Sequence, residues 1–192
     1  MFDKFFVAIM IALAAVEPGA ALAQNQTGAG SPGMTLDQAK EAYLAVWNNT
    51  ELNATFNTFV QPFTAAGYGI YEEHDSTFQP GETVVLYVEL VGYDHMQVPG
   101  EQRGTLYLMN MTADYTIASA DGSMKQTIQD VPAGSIISHR PNTELFLELS
   151  LTQELPEGDY LVTYNITDEV SGESFALEKQ ITVAGAAPPD TA

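Results

Sequence analysis

The sequence of 192 residues predicts a mainly β protein, in which a sandwich of short strands follows a short amphipathic helical segment. The clearest observation is the stretch of residues 143–183, where apolar and polar side chains alternate along three successive segments. Such alternation places one set of side chains on each face of a pleated strand. Turn residues at 156–158 and 168–172 separate the segments. We therefore expect three strands here, each with one buried and one mostly solvated face.

The segment before the strands, residues 35–66, has a helical pattern instead. Thr35 is followed three residues later by Gln38, which is the capping-box pattern of a helix start. Apolar residues then recur at helical spacing: Leu36, Ala39, Tyr43, Val46, Trp47, Leu52, Phe56, Phe59, Val60 and Phe63. We expect one or two amphipathic helices whose Trp and Phe side chains pack on the β-domain or on each other. The alternative is a helix that docks on a partner.

Residues 67–184 are predicted to form the β-domain, with about eight short strands. Besides the three strands above, the expected strands lie at residues 70–71, 84–90, 105–111, 114–119 and 123–129. Residues 84–90 are apolar on both faces, so this strand is expected at a central position in its sheet. Asp121-Gly122 is a residue pair preferred in tight hairpin turns. Residues 92–104 are predicted to be a long loop.

The end of this region resembles the immunoglobulin-like domains of bacteria and archaea. The motif LPEGDY at residues 155–160 is similar to the L-P-x-G-x-Y entry into their penultimate strand, and Tyr160 resembles their corner tyrosine. Residues 160–183 are similar to their terminal hairpin, and residues 78–82 to the early part of such modules. The resemblance implies an immunoglobulin-like β-sandwich over residues 67–184. Unlike antibody domains, the region has no cysteine pair, and Trp47 lies outside it.

The chain is strongly acidic because it has few cations: six Lys and Arg residues stand against 25 Asp and Glu residues, for a net charge of -19. Nucleic acids and anionic membrane surfaces are therefore poor partners, because no basic patch can neutralise their phosphates. We interpret the acidity as a solvated surface that keeps the protein soluble. The sequence contains no cysteine, which excludes disulfides, thiol catalysis and cysteine-based metal centres.

The N-terminus has the pattern of an export signal. Lys4 precedes an apolar run of 12 residues at positions 5–16, and the small-residue motif Ala21-Leu22-Ala23 follows. We predict a signal peptide over residues 1–23, a flexible linker over 24–34 and a disordered tail over 185–192. The apolar run is shorter than the ~20 residues that a membrane-spanning helix needs. The predicted location is the cell envelope or the exterior, with membrane contact only through an uncleaved signal.

Five of the eight asparagines begin the sequence N-x-[ST], which is the acceptor pattern for N-glycosylation. They are Asn25, Asn48, Asn53, Asn110 and Asn165. Ser and Thr occupy 27 of the 192 positions, so chance would produce about one such pattern among eight asparagines. The excess favours glycosylation of an exported chain at an archaeal or eukaryotic cell surface. The alternative is that threonine-rich strands create the pattern by accident.

Candidate metal ligands are present but follow no known motif. The histidines are His74, His95 and His139, and converging loops could combine them with carboxylates to hold copper or another divalent ion. The acidic turn residues Asp121, Asp159, Asp168 and Glu169 could bind calcium between strands. We favour separate surface side chains for both sets, and we predict no metal and no cofactor.

The sequence has no motif of a catalytic nucleophile or of a phosphate-binding loop. We therefore expect no catalysis and predict an exported structural, adhesion or binding module. Its partner would be a cell-surface protein or a polysaccharide, contacted through the loop at residues 93–103 or through exposed strand edges. The alternatives are an extracytoplasmic protein that binds calcium or copper and, less favoured, a carbohydrate-active enzyme with paired carboxylates.

Overall fold

The computed structural model describes residues 33–100 and 104–185. The predicted signal peptide, Asn25 and most of the predicted linker and tail lie outside the described residues. Within those residues, a helix and nine strands follow one another along the chain: α1 (Leu36–Trp47), β1 (Asn53–Phe59), β2 (Thr77–Phe78), β3 (Val84–Val91), β4 (Met96–Gly100), β5 (Gly104–Ser119), β6 (Lys125–Ser138), β7 (Phe146–Leu151), β8 (Gly158–Asp168) and β9 (Ser174–Val183). The predicted mainly β fold with a short helix is confirmed.

The strands form two sheets that pack on each other around one main core. The smaller sheet has the order β1-β3-β7 and is antiparallel. The larger sheet has the order β2-β9-β8-β5-β4, and β6 pairs with β5 on the side opposite to β8 and β4. The larger sheet curls like half of a barrel. Aliphatic and aromatic side chains from the facing sides of both sheets fill the space between them.

The three segments of residues 143–183 form strands β7, β8 and β9, as predicted. Their alternation corresponds to burial: Leu147, Leu149, Tyr164 and Ile166 are buried, and the side chains between them are exposed or half-buried. These strands are split between the sheets, because β7 pairs with β3 whereas β8 and β9 form a hairpin in the larger sheet. Strand β3 is central in the smaller sheet, which confirms the interpretation of its two apolar faces.

Helix α1 begins at the predicted capping box and is attached to the strands at its other end. Thr35 Oγ1 accepts a hydrogen bond from the N–H of Gln38 at 3.2 Å, and Gln38 Oε1 accepts one from the N–H of Thr35 at 2.8 Å. The indole N–H of Trp47 donates to the carbonyl of Tyr93 at 2.8 Å, and the two rings meet edge to face. The prediction that Trp47 packs on the β-domain is confirmed.

The helical prediction is wrong over residues 52–63, because this part of the chain contains strand β1. A β-bulge between Ala54 and Phe56 shifts the alternation, so that Ala54 faces the core and Phe56 the outer side of the sheet. Phe59 then faces the core, and Val60 packs on the outer side. Apolar residues from both faces therefore follow one another at steps of three and four, which imitates the helical period.

Several other element boundaries differ from the prediction. Residues 70–71 form no strand, and the sheet begins at Asn53 rather than near residue 67. The predicted loop at 92–104 contains strand β4. The predicted strands at 105–111 and 114–119 are one strand, β5, and β6 continues through Pro132. Bulges in the β5–β6 pairing absorb the irregular residues, and an edge strand tolerates the missing N–H of proline.

The hydroxyl of Tyr164 provides a test of the core between the sheets. This hydroxyl is buried without a hydrogen-bond partner among the described residues, whereas the hydroxyl of Tyr93 donates to the carbonyl of Asn142 at 2.8 Å. Tyr164→Phe should therefore leave the free energy of unfolding unchanged or raise it. Tyr93→Phe should lower it by about 1 kcal/mol, the typical worth of one hydrogen bond. Urea denaturation measures both, and a loss above about 1 kcal/mol for Tyr164→Phe would contradict this packing.

Candidate functional site

The outer face of the smaller sheet is covered by residues 60–73, a segment that we call the flap. In the central strand β3, Val85 and Tyr87 point to this outer face and are buried beneath the flap, where they form a small second core with Val60. The N–H of Gly69 donates to the hydroxyl of Tyr87 at 2.8 Å, and that hydroxyl donates to Glu89 Oε1 at 3.0 Å. The side chain of Tyr87 therefore both supports the flap and fixes its position.

The hydroxyl of Tyr87 remains a donor over the physiological pH range. Burial is the main reason that the pKa of Tyr87 is raised to about 12, and the neighbouring carboxylate of Glu89 adds to the increase. The hydrogen bond from Gly69 acts in the opposite direction but does not cancel the effect. The contact between the flap and strand β3 is therefore independent of pH near neutrality.

Aromatic rings form a continuous layer between the flap and the sheet. The ring of Tyr87 lies 4.5 Å from that of Tyr71 and 5.2 Å from that of Phe146, measured between centroids. Phe56 stacks on Tyr71 at 6.1 Å, which is possible because the β-bulge in β1 directs Phe56 outward. Contacts of this kind stabilise a surface by burial and by ring geometry together. The layer gives the flap a rigid base.

Four large apolar side chains on this face remain exposed to solvent: Phe56, Phe63, Tyr68 and Ile70, which we call the flap patch. Their exposed fractions are 39%, 101%, 38% and 62%, respectively. The stretch of residues 52–71 that carries them contains no charged residue, although 16% of the whole chain is charged. Exposed apolar patches on soluble proteins mark sites of interaction. The flap patch is therefore the candidate functional site.

Phe63 occupies an unfavourable backbone conformation within the flap patch. It follows Pro62 in a turn in which the N–H of Thr64 donates to the carbonyl of Gln61 at 3.3 Å, and its φ is +64°. Glycine or asparagine normally takes such a turn position, and the left-handed conformation costs a residue with a side chain roughly 1–2 kcal/mol. The ring is fully exposed, so internal packing does not offset this cost. Folding therefore does not account for phenylalanine at position 63.

Carboxylates border the flap patch. The pKa of Tyr71 is raised, first by reduced hydration and then by the charges of Glu73 and Glu89. The pKa of Tyr68 is raised too, first by burial, with Glu89 and Glu144 among the further causes. In the described part of the chain the Lys and Arg side chains are Lys40, Lys125, Arg140 and Lys179, and they lie outside the flap and outside strands β1, β3 and β7. The patch is thus uncharged at its centre and acidic at its border.

The histidines proposed as metal ligands contact other groups or face solvent. His74 Nε2 is 3.1 Å from Glu82 Oε1, and its ring stacks on Phe78. His95 Nε2 is 2.7 Å from the carbonyl of Asn142, and His139 is exposed. Among residues 33–100 and 104–185, no group of three or more His, Asp and Glu side chains is placed to hold a metal ion.

The acidic turn residues proposed as calcium ligands accept hydrogen bonds from other groups of the protein. Asp168 is completely buried, and its carboxylate accepts hydrogen bonds from the N–H of Asp94, the N–H of Val170 and the hydroxyl of Ser171. It joins the β8–β9 turn to the β3–β4 loop. The other three carboxylates also accept hydrogen bonds: Asp121 from Ser123, Asp159 from Thr182 and Glu169 from Thr112. These residues brace the loops, with Asp121 and Asp159 beside one surface pocket and Asp168 and Glu169 in another turn.

The four described glycosylation candidates lie outside the flap. Asn48 and Asn53 are exposed, next to the end of α1 and at the start of β1. Asn110 and Asn165 are half-buried on the outer face of the larger sheet, on strands β5 and β8. The predicted contact loop at 93–103 begins with the buried Tyr93 and continues into β4. Glycans at these four asparagines would leave the flap itself unmodified.

The sequence pattern does not identify the flap patch, because it predicts a helix at Phe56 and Phe63 and a short strand at Ile70. The signals that point to it are the uncharged run over residues 52–71 and the Pro62-Phe63 pair in a turn.

A comparison with profiles of known protein families finds no match, and a comparison with curated proteins finds no significant relative. In the part of the chain that the structure describes, no helix has the length and apolar character needed to cross a membrane.

The conformation of Phe63 leads to a prediction about stability. Phe63→Gly removes the backbone strain at φ +64°, so the free energy of unfolding should stay the same or rise by up to about 1 kcal/mol. Phe63→Ala keeps a Cβ atom and hence the strain, so it should leave stability nearly unchanged. Thermal and urea unfolding of both variants measure the difference. A loss of more than about 1 kcal/mol in either variant would mean that the ring packs within the fold.

Proposed function

We propose that the protein is an exported, non-catalytic recognition module that binds a partner at the cell surface through the flap patch. The observation that carries this proposal is Phe63, a fully exposed ring on a strained backbone within the uncharged stretch of residues 52–71. Strain of this kind clusters at functional sites, ligand clamps and switch regions. The N-terminal export pattern and the five glycosylation patterns support the proposed location.

The chemistry of the flap patch supports binding rather than catalysis. Its side chains are aliphatic, aromatic or phenolic, and such groups contribute contact area rather than proton transfer or nucleophilic attack. The aromatic layer beneath the flap and the Tyr87–Gly69 hydrogen bond hold the surface in place before any partner arrives. A preformed surface binds at a lower entropic cost than a disordered loop.

We propose further that the two packed sheets belong to the immunoglobulin-like type. The motif LPEGDY and the terminal β8–β9 hairpin support this assignment. The hydroxyl of Tyr160 donates to the carbonyl of Pro156 at 2.7 Å, a return to the backbone four residues upstream that resembles a tyrosine corner. Immunoglobulin-like sandwiches commonly present binding surfaces, but the fold alone does not specify the ligand.

Site-specific crosslinking in the producing organism tests the proposed function. A photoreactive amino acid at position 63 should form an adduct with a neighbouring envelope or surface molecule, because the ring at this position would lie within the contact. The matched control is position 137 on β6, where Ile137 is also exposed, at 60%, but lies on the larger sheet. Equal adduct formation at both positions, or a freely diffusing monomer without adducts, would contradict the proposal.

Mass spectrometry of the native protein tests export and modification. The mature chain should begin at Gln24, and the exposed Asn48 and Asn53 should carry glycans. Asn110 and Asn165 are less accessible, so their occupancy should be lower. A chain that retains Met1 and has unmodified asparagines would contradict the proposed cell-surface location.

A further inference from the structure

We infer that the partner of the flap patch is a protein surface with an apolar socket bordered by Lys or Arg side chains. This inference rests on the proposed function and adds the chemistry of the partner. It combines two properties of the patch, an anchor that projects from a rigid turn and an acidic border. Each property constrains a different part of the partner surface.

The anchor is the ring of Phe63, and hydrogen bonds on either side of it hold the backbone of its turn. The N–H of Gln61 donates to the carbonyl of Glu72 at 2.8 Å, and the N–H of Glu72 donates to Thr64 Oγ1 at 3.2 Å. The turn between them is closed by the hydrogen bond from Thr64 to Gln61, and Pro62 restricts its backbone. A fully exposed aromatic ring on such a base fits a desolvated pocket at the centre of an interface.

The border of the patch selects the charge of the partner. Glu89 and Glu144 lie close enough to act on the hydroxyl of Tyr68. Glu73 acts on that of Tyr71 in the aromatic layer, and the exposed Glu148 pairs across the sheet with Tyr87. The net charge of -19 adds a long-range attraction for cations. Cationic side chains around an apolar socket would therefore speed association and orient the partner.

Two other occupants fit the patch less well. A second copy of the chain would place identical acidic borders against each other, and like charges across an interface are repulsive. A polysaccharide would stack on one face of a ring within a set of converging polar groups. Phe63 instead projects with its whole surface exposed, and the exposed Ile70 offers no flat face. The protein partner is therefore the occupant that the observations favour.

Selection of peptides from a random displayed library on the purified mature chain tests the inference. Library members that bind the protein but not Phe63→Gly should share several aliphatic or aromatic residues that can enclose the Phe63 ring, flanked by Lys or Arg. A synthetic peptide of that consensus should lose at least about tenfold in affinity on Phe63→Gly, as expected for a central anchor. Phe63→Asn, which also tolerates positive φ, should show the same loss if the glycine variant folds poorly.

Charge variants separate the border from the rest of the acidic surface. Glu148→Gln should weaken binding of the same peptide by about two- to fivefold, because it removes one partly solvated ion pair. The matched control is Glu178→Gln, an exposed position on β9 in the larger sheet, which should leave the affinity unchanged. Added salt should reduce the loss of affinity caused by Glu148→Gln and should not change the loss caused by Phe63→Gly.

Several results would overturn the inference. These are a neutral or acidic consensus, no enrichment at all, binding to a glycan array that depends on Phe63, or a dimer in sedimentation that Phe63→Gly abolishes. Crosslinking at position 63 to a surface molecule would still support the proposed function in the first three cases. Failure of crosslinking together with failure of peptide selection would contradict both the inference and the proposed function.

Discussion

Strand β3 has apolar side chains on both faces, and this requires a cover on each side of the smaller sheet. The larger sheet covers the inner face and forms the main core with Leu86, Val88 and Leu90. The flap covers the outer face, where Val85 and Tyr87 are buried. Antiparallel sheets commonly leave one face in water, so the second cover is an additional element of this fold. The position of the candidate site follows from this requirement.

The flap covers the apolar side chains on the outer face of β3 and still presents apolar groups of its own to solvent. Tyr87 connects the two roles, because its ring is buried under the flap while its hydroxyl holds Gly69 and contacts Glu89. Phe63 lies on the far side of the flap, where it contributes no packing and adopts a disfavoured φ. The flap thus has a rigid base and an exposed residue whose backbone conformation costs free energy. This combination is consistent with a contact that forms only in the presence of a partner.

Sequence alone was sufficient for the strands whose alternation is undisturbed, such as β8 and β9, and for the capping box at Thr35. Sequence alone failed at β1, because this strand has a bulge and carries apolar side chains on both of its covered faces. Its apolar residues therefore recur at helical steps instead of at every second position. The flap patch is missed for the same reason, since the helical steps predict a helix at Phe56 and Phe63. The backbone conformation of Phe63 and the tether from Tyr87 depend on tertiary structure, so no local pattern could reveal them.

The central claim is that a partner covers the flap patch in the native setting. Hydroxyl-radical footprinting on intact cells and on the purified protein measures this directly, because radicals oxidise exposed Phe and Ile side chains. We expect Phe63 and Ile70 to be oxidised in the purified protein and protected on cells, while Ile137 on the larger sheet is oxidised equally in both. Equal oxidation of Phe63 in the two preparations would contradict the claim.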